Sequence, residues 1–181
     1  MPDPRVWALC LLAAPAAAQD GALQRTLELP AHRLLMEVVA APGTQLTPFV
    51  SDGCSGGLSS SWRVVADLVP GFAEAHQPAP PWESCCVAHD RAYHAAGGAR
   101  TAEASYDARL EADTTLRTCV EATGQTRLAD LAARYGGSET QVRRAYSAIA
   151  GGMFTAVRLG GGPCSGLPWA WGFGYPGCLT P

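Results

Sequence analysis

Between Pro81 and Gly98 the chain reads PWESCCVAHDRAYHAAGG, with two adjacent cysteines, a His-Asp pair and a tyrosine four residues past the histidine. On a helix, residues four apart share a face. Cys85, His89 and Tyr93 then form one line, and Cys86 and Asp90 form a second about 100° round. The two cysteines need different partners, and His89 and Asp90 serve different neighbours. A histidine oriented by a carboxylate is a good general base. The carboxylate fixes the tautomer and stabilises the imidazolium, and the other ring nitrogen is free to take a proton from water. That leaves Asp90 for another task. A carboxylate facing a loop with free carbonyls suits a hard cation such as calcium. The candidate loop is SDGCSGG, from Ser51 to Gly57, whose glycines let the backbone turn carbonyls inward. Asp52 reads as a turn former or as a further calcium ligand.

These side chains must be positioned by helices. Pro81 suits the first turn of a helix running from about Trp82 to Ala96, and Gly97-Gly98 stops it. A second helix is predicted from about Thr101 to Ala122, ended by Gly124. The loop between them is short, so the two form an antiparallel pair. The second helix carries Asp113, Leu116 and Cys119 at three-residue steps. On the assumption that Cys85 is bonded to Cys119, His89 lies about 6 Å along its helix from that bond and Asp113 about 9 Å along the partner. Side chains span that difference. Asp107 would lie about 18 Å along and matches poorly. Spacing thus favours Asp113 as the carboxylate that meets His89, with Asp107 as the weaker candidate. His89 and His94 are five apart and share no face, and there is no HExxH, so a metal-hydrolase pair is not indicated.

The remaining sequence sets the frame. The 181 residues are 48% hydrophobic with a net charge of −3, which fits one globular domain. The 13 basic residues are all arginine and are scattered, which argues against nucleic acid as a partner. Residues 1–18, with the apolar run VWALCLLAAPAAA ending in Ala16-Ala17-Ala18, read as a secretory signal peptide. Residues 19–181 are then a single domain, secreted or periplasmic. Removing Cys10 leaves Cys54, Cys85, Cys86, Cys119, Cys164 and Cys178, an even set that points to three disulfides. Fifteen pairings are open. Apolar spacing predicts a helix over Leu23–Ala40 broken at Pro30, a short one over Trp62–Val69, and two more over Arg127–Tyr135 and Glu139–Val157. No strand is predicted. The tail from Cys164 is too rich in Gly, Pro and aromatics for regular structure, and its Trp169, Trp171, Phe173 and Tyr175 suit either a cap on the helices or contact with lipid headgroups. His32 and His76 read as surface residues. The fold class is mainly α.

The stretch from Cys85 to Tyr93 resembles the CCxxHDxxY signature of the secreted phospholipases A2. Asp52-Gly53-Cys54 is similar to the start of the calcium loop in divergent members, and Asp113-xx-Leu116-xx-Cys119 to their second catalytic helix. The likeness covers roughly Phe49 to Val120. It departs from the family in a shortened glycine run, a long Cys54–Cys85 interval and Ala92 where many members carry cysteine. The resemblance implies a disulfide-linked antiparallel helix pair of phospholipase A2 type, here with extra C-terminal helices and an irregular aromatic tail. It implies calcium-dependent hydrolysis of a glycerophospholipid ester, at the sn-2 position, by a monomer working on a phospholipid membrane surface. His89 would activate water, Asp113 would orient it and Tyr93 would support Asp113. Asp90 would bind calcium with carbonyls near Gly53, Ser55 and Gly57. The disulfides it implies are Cys54–Cys86 and Cys85–Cys119, with Cys164 and Cys178 the remaining two. The other reading is a catalytically silent secreted module that uses the same scaffold to bind lipid or protein.

Overall fold

The computed structural model describes residues 16–54 and 58–178. The signal-peptide reading falls mainly on residues outside that range, as do Ser55 and Gly57. The elements in chain order are α1 (Ala16–Ala40), α2 (Leu58–Leu68), α3 (Phe72–His76), α4 (Glu83–His94), a 3-10 turn (Ala96–Gly98), α5 (Ala102–Gln125), α6 (Leu128–Tyr135) and α7 (Glu139–Gly160). Among the described residues there is no strand, and the fold is all-helical with three disulfides.

The long helices start at strong caps. Thr101 accepts a hydrogen bond from the Ala104 amide at 3.1 Å to open α5, and Ser138 with Gln141 forms a capping box at α7. The chain turns between α4 and α5 through Gly97, at φ 63°, a conformation that glycine adopts without strain. Cys85–Cys119 joins the two helices at a Cα–Cα distance of 5.8 Å. Further along α4, His89 and Tyr93 meet Asp113, further back along α5, so the two run antiparallel. Around α5 pack α7, α1 and α4. One core gathers Trp82, Leu116, Val120, Leu131 and Tyr146 beside the two disulfides at Cys85 and Cys86. A second gathers Leu35, Tyr93 and Trp171.

Several helix limits differ from the sequence expectation, α3 (Phe72–His76) is a helix that was not expected, and two of the differences have a clear tertiary cause. α1 runs unbroken through Pro30. An interior proline costs about 3 kcal/mol or more, but α1 is anchored on both sides of it. Glu28 is paired with Arg109 and Arg158, and buried His32 and Leu35 fix the next turns. Gly124 does not end α5 but lies inside it, because Tyr146 of α7 packs directly on its bare Cα; an added Cβ would come within 2.6 Å of the Tyr146 Cβ. Gly124→Ala therefore gains helix propensity yet overpacks this crossing. The expected net is a loss of about 1–3 kcal/mol, read as a lowered urea midpoint; an unchanged or raised midpoint would show that α7 can shift without cost.

The tail folds back on the end of α4. Gly172 N–H donates to the Tyr93 carbonyl at 2.7 Å and Gly174 N–H to that of His94 at 3.1 Å, satisfying two of the helix's last carbonyls. The loop after α1 joins the same knot, with Thr47 N–H donating to Gly174 O at 2.9 Å. Trp171 is buried and donates from Nε1 to Ser105 Oγ at 2.9 Å, so this part of the aromatic tail is a cap on the helices. Cys164–Cys178 closes it.

Candidate active site

His89 and Asp113 meet across the α4–α5 pair. His89 Nε2 is 2.9 Å from Asp113 Oδ1, and Tyr93 donates from its hydroxyl to the same oxygen at 2.6 Å. An ionised carboxylate only accepts, so Nε2 carries the proton and Nδ1 is the acceptor in the neutral ring. Nδ1 lies 3.9 Å from Asp90 Oδ1, an ion-pair rather than a hydrogen-bond distance. Burial pushes the His89 imidazolium towards losing its proton, but Asp113 and then Asp90 outweigh it, and the pKa stands above the usual histidine value. Asp107, the weaker candidate for this role, pairs instead with Arg25 on the surface.

Behind this pair lies a charge cluster that spacing did not reveal. Arg158, near the end of α7, donates from Nη1 to Asp113 Oδ2 at 3.0 Å and from Nη2 to Glu28 Oε1 at 2.7 Å. Arg109 donates from Nη1 to Glu28 and from Nε to the Tyr93 hydroxyl at 3.2 Å. Its Nη2 takes the carbonyls of Val157 and Arg158 at 2.8 and 2.9 Å, capping the C-terminal end of α7. Arg109 and Asp113 are 0% exposed. The four charges cancel, which is how a buried ionic group becomes tolerable. Asp113 thus receives three donors from two elements, α4 and α7, and its carboxylate has no freedom to turn away from His89. Arg109 could have been found four residues before Asp113, on the same face of α5. Arg158 and Glu28 left no local trace, because they reach Asp113 only through tertiary packing.

His32 is buried rather than on the surface, and its Nδ1 lies 2.8 Å from Ser105 Oγ. Burial pushes its pKa down. Its Nε2 is 3.9 Å from Glu28 Oε2, too long for a hydrogen bond. His76 lies outside the site and contacts Tyr135.

On the other side of His89 the loop from α1 reaches Asp90. Ser51 donates to Asp90 Oδ2 at 2.7 Å and sits 3.5 Å from the Gly53 carbonyl. Cys54–Cys86 ties the loop to α4, at a Cα–Cα distance of 5.0 Å. Gly53 has φ 90°, and a Cβ there would meet Ser59 and Glu83, so only glycine fits. A carboxylate and a carbonyl around one hydroxyl are hard oxygen donors of the kind calcium takes. Among the described residues, no three His, Cys, Asp or Glu side chains gather into a metal cluster, so such a site would have to draw its other oxygens from backbone carbonyls. His89 and Asp90 also line a cavity of about 370 Å³, whose walls are mostly apolar and include Leu58, Leu116, Met153, Val157 and Trp169.

No family model, no curated protein and no solved structure matches this chain.

Proposed function

We propose that the chain hydrolyses a glycerophospholipid ester, in the manner that its resemblance to the secreted phospholipases A2 implies. The observation that carries this reading is the His89 ring. One nitrogen is tied to a rigidly held carboxylate, the other is left as an acceptor, and the residue lines an apolar cavity suited to an acyl chain. His89 Nδ1 takes a proton from water as the water oxygen attacks the ester carbonyl. Asp113 stabilises the imidazolium that forms. As the tetrahedral intermediate collapses, the ester C–O bond breaks and the imidazolium returns the proton to the leaving alkoxide of the lysolipid. Tyr93 fixes Asp113 throughout.

Asp90 and the Gly53 carbonyl, with the carbonyls of Ser55 and Gly57, are the groups that would hold a calcium ion. Bound there, calcium supplies electrostatic stabilisation to the developing oxyanion. Three disulfides favour an oxidising compartment, in keeping with a secreted or periplasmic monomer that works at a phospholipid surface.

The test is fatty-acid release from phospholipid vesicles, with calcium and with a chelator. Release is expected with calcium, lost on chelation and restored when calcium is added back. Absence of release from every lipid tried, with calcium still bound, would instead support a silent binding module on the same scaffold.

A further inference from the structure

The cavity beside His89, of about 370 Å³, is a trough with a direction. α4 runs antiparallel to α5, since His89 and Tyr93 pair with Asp113 while Cys85 is bonded to Cys119. α7 crosses α5 in the same sense. Its Tyr146 lies on Gly124, and its Val157 carbonyl accepts from Arg109 at 2.8 Å. α4 and α7 are therefore parallel, and Leu116 of α5 lines the trough with them. His89, Asp90 and Val157 stand at one end. Trp169 stands there too, against Gly160, where an added Cβ would come within 2.5 Å of the indole. The Cys54–Cys86 disulfide, Leu58 and Gly152 wall the other end. Gly152 precedes Val157 on α7 by about 7–8 Å along the helix axis.

At that far end the wall is open. A Cβ added at Gly152 would meet no atom within 4 Å, so packing does not keep a side chain out. Gly124 and Gly160 differ in this respect, because Tyr146 and Trp169 already fill the space over them. Between Gly152 and the His89 end, the α7 wall is Met153, Ala156 and Val157, all apolar. A slender apolar group that enters beside His89 can run along this wall and pass over Gly152. None of α7 belongs to the stretch from Phe49 to Val120 that carries the phospholipase resemblance, so the resemblance implies nothing about this wall.

We infer that Gly152 is a specificity-determining residue for the acyl chain: the chain lies in the trough from His89 towards Gly152, and the missing side chain there lets long chains through. The inference rests on the hydrolase reading above. With the ester carbonyl at His89, the acyl chain points away from Trp169 and along Met153. Each further methylene leaves water for the trough until the chain passes Gly152, so long-chain esters are cleaved in preference to short ones.

Two measurements test it. In the first, initial rates are compared on two phospholipids that differ only in a hexanoyl or dodecanoyl sn-2 chain, each diluted into the same vesicles of non-hydrolysable ether lipid. Gly152→Leu should lower the dodecanoyl-to-hexanoyl rate ratio by roughly tenfold or more, the worth of about two methylenes kept in water. Gly151→Leu makes the same change one residue away, off the cavity wall, and should leave the ratio unchanged. Both variants replace a helical glycine by a better helix former. An unchanged ratio in Gly152→Leu, with hydrolysis intact, would overturn the inference and leave the hydrolase reading standing. The second measurement depends neither on turnover nor on a variant. The methionine methyl resonances of the unaltered protein are followed while hexanoate or dodecanoate is added below its micellar concentration. Met153 lines the trough, whereas Met36 packs in the other core. A saturable shift of the Met153 methyl is expected, at a much lower concentration of dodecanoate than of hexanoate, with Met36 unmoved. No shift at Met153, or equal affinity for the two acids, overturns the inference even if no lipid is hydrolysed.

Discussion

On the proposed hydrolase reading, His89→Ala should lower fatty-acid release by about 10²–10⁴-fold, the usual contribution of a positioned general base. The cause is specific. Among the described residues, no other side chain presents an acceptor nitrogen beside Asp90 with a carboxylate behind it. The variant should stay folded, because Asp113 keeps its hydrogen bonds from Tyr93 and Arg158. Retention of more than a tenth of the activity by a folded His89→Ala protein would mean that the base is elsewhere. The pH dependence follows from the same geometry. As the proposed base His89 would act only when neutral, and its pKa is raised above the usual value of about 6.5 because Asp113 and Asp90 outweigh burial. Without metal, its ring resonances should therefore titrate above the usual range. A cation held by Asp90 offsets one of the two supporting charges, so adding calcium should move the titration to lower pH. A midpoint that ignores calcium would argue against a cation at Asp90.

The α4–α5 pair was legible in the sequence because its determinants are local. Helical spacing aligned Cys85, His89 and Tyr93, the glycines at 97 and 98 marked the turn, and rise per residue favoured Asp113 over Asp107 as the neighbour of His89. The misreadings concern residues whose state depends on a partner far along the chain. Pro30 looks like a break until Glu28 and His32 are seen anchored on either side of it. Gly124 looks like a stop until Tyr146 is laid against it. His32 looks like a surface residue until Ser105 and Tyr106 of α5 close over it. The role of Arg158 was hidden in the same way, since 45 residues separate it from Asp113.

Arg158→Gln should be the most destabilising of the substitutions considered. The arginine bridges Asp113 and Glu28, and its side chain is 5% exposed. Removing one partner of a buried pair leaves the other charges desolvated and uncompensated, at a cost of about 3–5 kcal/mol. For a chain of this length that lowers the melting temperature by roughly 6–20 °C. The surface pair Arg25–Asp107, with side chains 36% and 58% exposed, provides the contrast: Arg25→Gln should leave the melting temperature nearly unchanged, because water replaces the lost partner. Charge balance makes a sharper claim. With Arg158 gone, Arg109 alone faces both carboxylates, so removing one negative charge restores neutrality. Glu28→Gln combined with Arg158→Gln should therefore cost less than the sum of the two single changes, by about 1 kcal/mol or more. Strict additivity in that double-mutant cycle would mean that the cluster is held by packing and separate hydrogen bonds, and that its charges do not act as one unit behind Asp113.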